Sequence, residues 1–110
     1  MNSLTESDYI AKVLGWFEAL PETPKMAGAS DVTVARRLFE QRVDLEHVRQ
    51  ALLLGSARRL CRDPALGPLR PIGSLAYFLR VISEVIDEDL DNGYVLYLEG
   101  IVGDGLGRVA

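Results

Sequence analysis

Residues 45–62 read Leu-Glu-His-Val-Arg-Gln-Ala-Leu-Leu-Leu-Gly-Ser-Ala-Arg-Arg-Leu-Cys-Arg, and Leu45, Val48, Ala51, Leu52, Leu53, Leu54, Ala57 and Leu60 spread almost all round a helical wheel. A helix that is apolar on every side is stable in water only when other elements surround it. This segment therefore demands a fold built around a central helix. Asp44 stands where an N-cap for that helix is required.

The flanking sequence supplies candidates for the surrounding layer. Leu4, Tyr9, Val13, Phe17 and Leu20 recur at spacings of three to five, with Ser7 or Asp8 as a cap, and predict a helix over 8–20. Pro21, Pro24 and Gly28 end it in a connector. Ser30 or Asp31 then caps a second helix whose apolar face is Val34, Ala35, Leu38 and Phe39 and which ends near Arg42. Beyond the central segment, the stretch 63–73 holds three prolines and two glycines, which excludes a helix or a central strand and predicts a semi-rigid loop.

Leu75, Phe78, Leu79, Ile82, Val85 and Ile86 follow the i, i+3, i+4, i+7 rule from Ser74 onward, with Arg80, Ser83, Glu84, Asp87 and Glu88 opposite, which predicts a helix over 74–90. After the Asp91-Asn92-Gly93 turn signal, Tyr94, Tyr97, Leu98 and Ile101 fit helical spacing, although Tyr-Val-Leu-Tyr-Leu by composition favours a strand. A lone strand would leave its backbone unpaired, and no other segment reads as its mate, so a fifth helix is expected. The sequence thus predicts an all-α bundle of four to five short helices in a single domain, 1–102. Gly103, Gly105 and Gly107 predict a flexible tail over 103–110.

Composition narrows the function. With 110 residues, 48% apolar and 25% charged, the chain has the makings of one core. Its apolar runs fall far short of the ~20 residues of a membrane span. The N-terminus resembles neither a secretory signal nor a transit peptide. One cysteine, Cys61, and one histidine, His47, form no disulfide and no structural zinc site, and a cytoplasmic protein is expected. Cys61 is expected in the core near a helix end, and His47 at the surface.

No catalytic constellation emerges. His47 has no nucleophile placed beside it by sequence, and the acidic run Glu84, Asp87, Glu88, Asp89, Asp91 lacks the alternating ligands and central glycine of a calcium loop. The Gly-Asp-Gly-Leu-Gly run at 103–107 follows no strand and opens no helix, so the geometry of a phosphate loop is missing. No carboxylate pair is arranged for acid–base work. A non-enzymatic protein with no cofactor or metal is expected.

Charge is segregated beneath the net value of −4: residues 36–80 carry nine arginines and four acids, whereas 81–110 carry one arginine and seven acids. Arginine suits phosphate and carboxylate alike. Arg58, Arg59 and Arg62, with Arg70 in the following loop and Arg36 and Arg37 on the second helix, are the candidate contacts for a nucleic-acid backbone or a protein partner. The alternative role for the first three is to bind acids on the fourth helix or carbonyls at the end of the third. Sequence-specific reading of bases by residues 45–62 is excluded by Leu52, Leu53 and Leu54, which leave too little of that helix free for a groove.

The segment Ala51-Leu-Leu-Leu-Gly-Ser-Ala-Arg-Arg-Leu-Cys-Arg-Asp-Pro, with Pro71-Ile-Gly-Ser-Leu-Ala-Tyr-Phe-Leu-Arg-Val-Ile-Ser-Glu-Val-Ile, resembles a helical module of uncharacterised small bacterial proteins near mobile elements and replication genes. The likeness covers about residues 34–98 and is carried by the Ala-Arg-Arg and Ser-Leu-x-Tyr-Phe pieces. It implies an accessory or regulatory role in a nucleoprotein setting and brings no catalytic motif. The other function expected from the sequence is a protein-interaction subunit or small homodimeric adaptor without nucleic-acid contact.

Overall fold

A computed structural model describes residues 4–103, 106 and 107. It is all-helical: α1 (Glu6–Ala19), α2 (Ala29–Glu40), α3 (Leu45–Leu60), α4 (Leu79–Asp87) and α5 (Asn92–Val102), with short 3-10 turns at Pro64–Leu66 and Leu75–Phe78. α3 packs against α1, α4 and α5, while α2 packs against α1 and the second 3-10 turn. Ten successive residues of α3, Val48 to Ala57, are buried, as a helix apolar all round requires. No described helix is long and apolar enough to cross a membrane.

Side-chain caps fix where the helices begin. Asp44 Oδ1 accepts from the Glu46 N–H at 2.8 Å, and Asp91 Oδ2 accepts from the Gly93 N–H at 3.0 Å. α1 starts earlier than its periodicity indicates, because Thr5 Oγ1 takes the Asp8 N–H and Glu6 to Asp8 join the first turn. α2 is entered at Gly28, and Asp31 reaches back to accept the Gly28 N–H at 2.8 Å. The other oxygen of Asp31 accepts the Leu75 N–H at 2.8 Å. With 4% exposure, this carboxylate fastens the start of α2 to the turn that precedes α4.

The expected helix over 74–90 is shorter and composite. Ser74 caps a 3-10 turn, and α-geometry runs only from Leu79 to Asp87. The turn is held by Asp31 and by Phe78, which packs against Gly55 of α3 and meets Phe17 edge-to-face at 6.4 Å. At the other end Glu88 is extended and Asp89 meets His47 at 2.6 Å. The 63–73 connector is laced to the rest by the Ile72 N–H, which donates to the Glu22 carbonyl at 2.8 Å. Glu22 sits there at φ 64°, a left-handed conformation uncommon outside glycine.

Several expected core residues lie outside it. Leu60 and Cys61 are exposed, and the continuously buried stretch of α3 ends at Ala57. Ile86 is exposed near the end of α4, and Leu4 precedes α1. α5 is a helix as expected; of its expected face Leu98 is buried and Ile101 half-buried, whereas Tyr94 and Tyr97 are exposed and Val95 is buried in their place. Of the segment expected as a flexible tail, Leu106 is buried in the core cluster. Its apolar side chain and its carbonyl, which accepts from Arg49 Nε at 3.3 Å, hold it there. Residues 104, 105 and 108–110 lie outside the described residues.

Candidate functional site

The arginines singled out by sequence fall into two groups. Arg58, Arg59 and Arg62 come together at the C-terminal end of α3. Arg58 makes a two-pronged contact with Glu84 of α4, at 3.0 and 3.1 Å. Hydrogen bonding from Arg58 holds the Glu84 carboxyl below its ordinary range and raises the guanidinium above its own.

Arg59 reaches in the other direction. Its side chain is only 6% exposed; one terminal nitrogen donates to Glu22 at 3.0 Å and to the Arg70 carbonyl, and the other donates to the Tyr77 hydroxyl at 3.3 Å. Arg62 donates to the Gly67 and Leu66 carbonyls at 3.4 and 3.2 Å. These three side chains brace α4 and the proline-rich loop from the end of α3.

Arg36 of α2 pairs with Glu6 at 3.0 Å. Arg37 and Arg70 are exposed, and neither side chain pairs with a carboxylate among the described residues. His47 faces Asp89, and the described residues contain no group of three or more His, Cys, Asp or Glu able to hold a metal ion.

An arginine outside the candidate set drawn from the sequence is the most buried among the described residues. Arg49, 1% exposed, is held by Glu46 at 3.0 Å and by Glu99 of α5, besides the Leu106 carbonyl. Glu99 is the only charged residue between Asn92 and Val102. With it engaged by Arg49, the exposed residues of α5 are Asn92, Gly93, Tyr94, Leu96, Tyr97 and Gly100, none of them charged. Leu96 and Tyr97 are 58% and 60% exposed.

Beside this strip the Tyr94 and Tyr97 rings stack at 5.9 Å with their planes 26° apart. With Leu54, Ala57, Arg58 and Cys61 of α3 they line a groove of about 170 Å³. A larger cleft of about 540 Å³ lies where α1 meets the α2–α3 turn, lined chiefly by Leu4, Tyr9, Phe39, Val43 and Leu45. Glu40, Arg42 and Asp44 complete the lining of the larger cleft. The signal for the α5 surface is legible in sequence as eleven residues with one charge. Comparison of the chain with protein-family models, with curated proteins and with solved structures found no match in any of the three.

Proposed function

We propose that this chain is a non-catalytic interaction subunit that works by covering the outer face of α5 with another protein surface. A helix apolar all round belongs inside a protein. α3 meets that condition within the chain and α5 does not, because the only charge of α5 is spent on Arg49 while Leu96 and Tyr97 face outward. Exposed aromatic and aliphatic side chains grouped on one face are the composition of contact surfaces. The test is crosslinked affinity capture with the wild type and with Leu96→Lys/Tyr97→Lys, read by mass spectrometry. Partners captured by the wild type and lost in the variant support the proposal, and the same set from both rejects it.

A second reading, contact with a nucleic-acid backbone, is favoured by Arg37 and Arg70, which have no carboxylate partner among the described residues. The resemblance to a module found near mobile elements points the same way. Arg58, Arg59 and Arg62 serve it less well, since contact with phosphate would compete with Glu84, Glu22 and loop carbonyls. A salt titration of duplex and single-strand binding decides it. Each duplex phosphate neutralised adds about 0.9 to the slope of log affinity against log salt. Arg37→Ala/Arg70→Ala is then expected to flatten that slope, and no binding at low salt removes the reading.

A further inference from the structure

We infer that the exposed run Pro68-Leu69-Arg70-Pro71 is a docking segment for a protein domain with an aromatic-lined groove and acidic side chains beside it. This surface is separate from α5 and lies on the connector between α3 and α4. Residues 67–74 contain no helix, strand, turn or bend, so the chain follows an extended course there. Proline holds φ near −65° at positions 68 and 71, and Pro71 disfavours helical geometry at Arg70. These restraints favour the polyproline II conformation. Its three residues per turn place Pro68 and Pro71 on one ridge, ~9 Å apart, with Leu69 and Arg70 on the other two sides.

All four residues are exposed, and among the described residues the Arg70 carbonyl is the only backbone group of the four in a hydrogen bond. The other carbonyls are therefore open to donors from the walls of a groove. The segment is also braced at both ends. Arg62 reaches the Leu66 and Gly67 carbonyls before it, Arg59 binds the Arg70 carbonyl, and the Ile72 N–H donates to the Glu22 carbonyl after it. A segment held in this way loses little conformational entropy when a partner seats on it. Charge narrows the partner further. Arg70 is the only charged residue between Asp63 and Arg80, and its side chain has no carboxylate partner among the described residues. One cation beside a proline ridge fits a groove of aromatic rings with a carboxylate at its edge, the mode in which Pro-x-x-Pro segments are recognised. A nucleic-acid strand, held through many phosphates, would need several cations where this segment has one.

The test is a nuclear magnetic resonance titration of the isotopically labelled full chain with a panel of purified domains that bind proline-rich peptides in aromatic grooves. The panel includes grooves with and without acidic residues at the edge. At least one acidic-edged domain is expected to shift the Leu69 and Arg70 amide signals saturably, and a proline-rich peptide that fills its groove is expected to displace the chain. Pro68→Ala/Pro71→Ala removes the ridge without touching charge, and Arg70→Glu reverses the charge without touching the ridge; each is expected to weaken binding about tenfold or more. All three side chains are exposed and outside the core, and unchanged amide signals from α3 verify that the variants fold. The inference is overturned if no domain of the panel moves the Leu69 and Arg70 signals, or if the double proline variant binds as tightly as the wild type. Shifts produced only by an oligonucleotide, and lost in Arg70→Glu but not in the proline variant, would also overturn it and return Arg70 to nucleic-acid contact.

Discussion

Arg49, in the middle of the buried central helix, pairs with Glu99, the only charged residue of α5, whose side chain is 21% exposed. Breaking a buried pair from one side leaves a charge without compensation, whereas replacing both partners with apolar groups is often neutral. Glu99→Gln, which leaves Arg49 paired with Glu46 at 3.0 Å, is expected to destabilise the chain by about 1–2 kcal/mol, and Arg49→Met/Glu99→Leu by less. Urea unfolding of the single and double variants measures the difference. If the double variant is as damaged as the single one, Arg49 acts through its packing and not through its charge.

Two helical glycines should respond oppositely to the same substitution. Gly15 in α1 has nothing within 4 Å of a new Cβ, so Gly15→Ala is expected to stabilise by about 0.5–1 kcal/mol. A Cβ on Gly55 would lie 2.8 Å from two ring atoms of Phe78, a fully buried side chain with Phe17 on another side. Gly55→Ala is expected to cost about 1–3 kcal/mol through overpacking despite the gain in helix propensity. Phe78→Ala, which empties the site, should cost about 3–5 kcal/mol. Thermal melts of the three variants check the order.

How far these features can be read from sequence depends on whether they are local. The five helices follow from periodicity and from breakers such as Pro21 and Pro24, and Asp44 caps α3 where its residue type indicates. Cap choice at α2 is less legible, because Asp31 serves from inside the helix and also binds Leu75, 44 residues away. The inward face of α5 is ambiguous in principle: when nearly every residue is apolar, Tyr94 and Tyr97 fit the spacing beside Leu98 as well as Val95 does. The roles of the arginines are set by which carboxylates the fold brings near. Arg58, Arg59 and Arg49 look alike in sequence and end up half-exposed, covered and buried.

Neighbouring arginines at the end of α3 should differ sharply on mutation. Arg58 and Glu84 are both well exposed, and an exposed ion pair is screened by water and salt. Arg58→Ala is expected to leave the melting temperature unchanged within error. Arg59 links the Glu22 carboxylate, the Arg70 carbonyl and Tyr77, and its guanidinium also lies 5.5 Å from the Tyr77 ring centre. Arg59→Ala should release residues 61–73, seen as faster amide hydrogen exchange and proteolysis confined to that loop. Equal protection of the loop in both variants would show that Arg59 is dispensable there.

Tyr9 provides a test at alkaline pH. Its hydroxyl donates to the Val43 carbonyl at 2.7 Å, and burial, reinforced by the nearby Asp44 carboxylate, pushes its pKa up to about 12. An unfolded tyrosine ionises near 10, so between these values the unfolded chain gives up a proton that the folded chain keeps. The stabilisation supplied by the neutral phenol is therefore complete below pH 10 and is lost as pH rises from 10 to about 12. Tyr9→Phe removes the titration together with the hydrogen bond, at a cost of about 1 kcal/mol near neutrality. Plotted against pH, the stability of the wild type minus that of the variant should be flat up to about 9 and then fall, by up to ~1.4 kcal/mol per pH unit within the window. Titrations common to both proteins cancel in this difference. Denaturant unfolding at a series of pH values measures it, and absorbance at the phenolate band should show one of the four tyrosines ionising late in the wild type. A difference that stays flat to pH 11 would mean that the Tyr9 hydroxyl is open to water and that its bond to Val43 is not maintained.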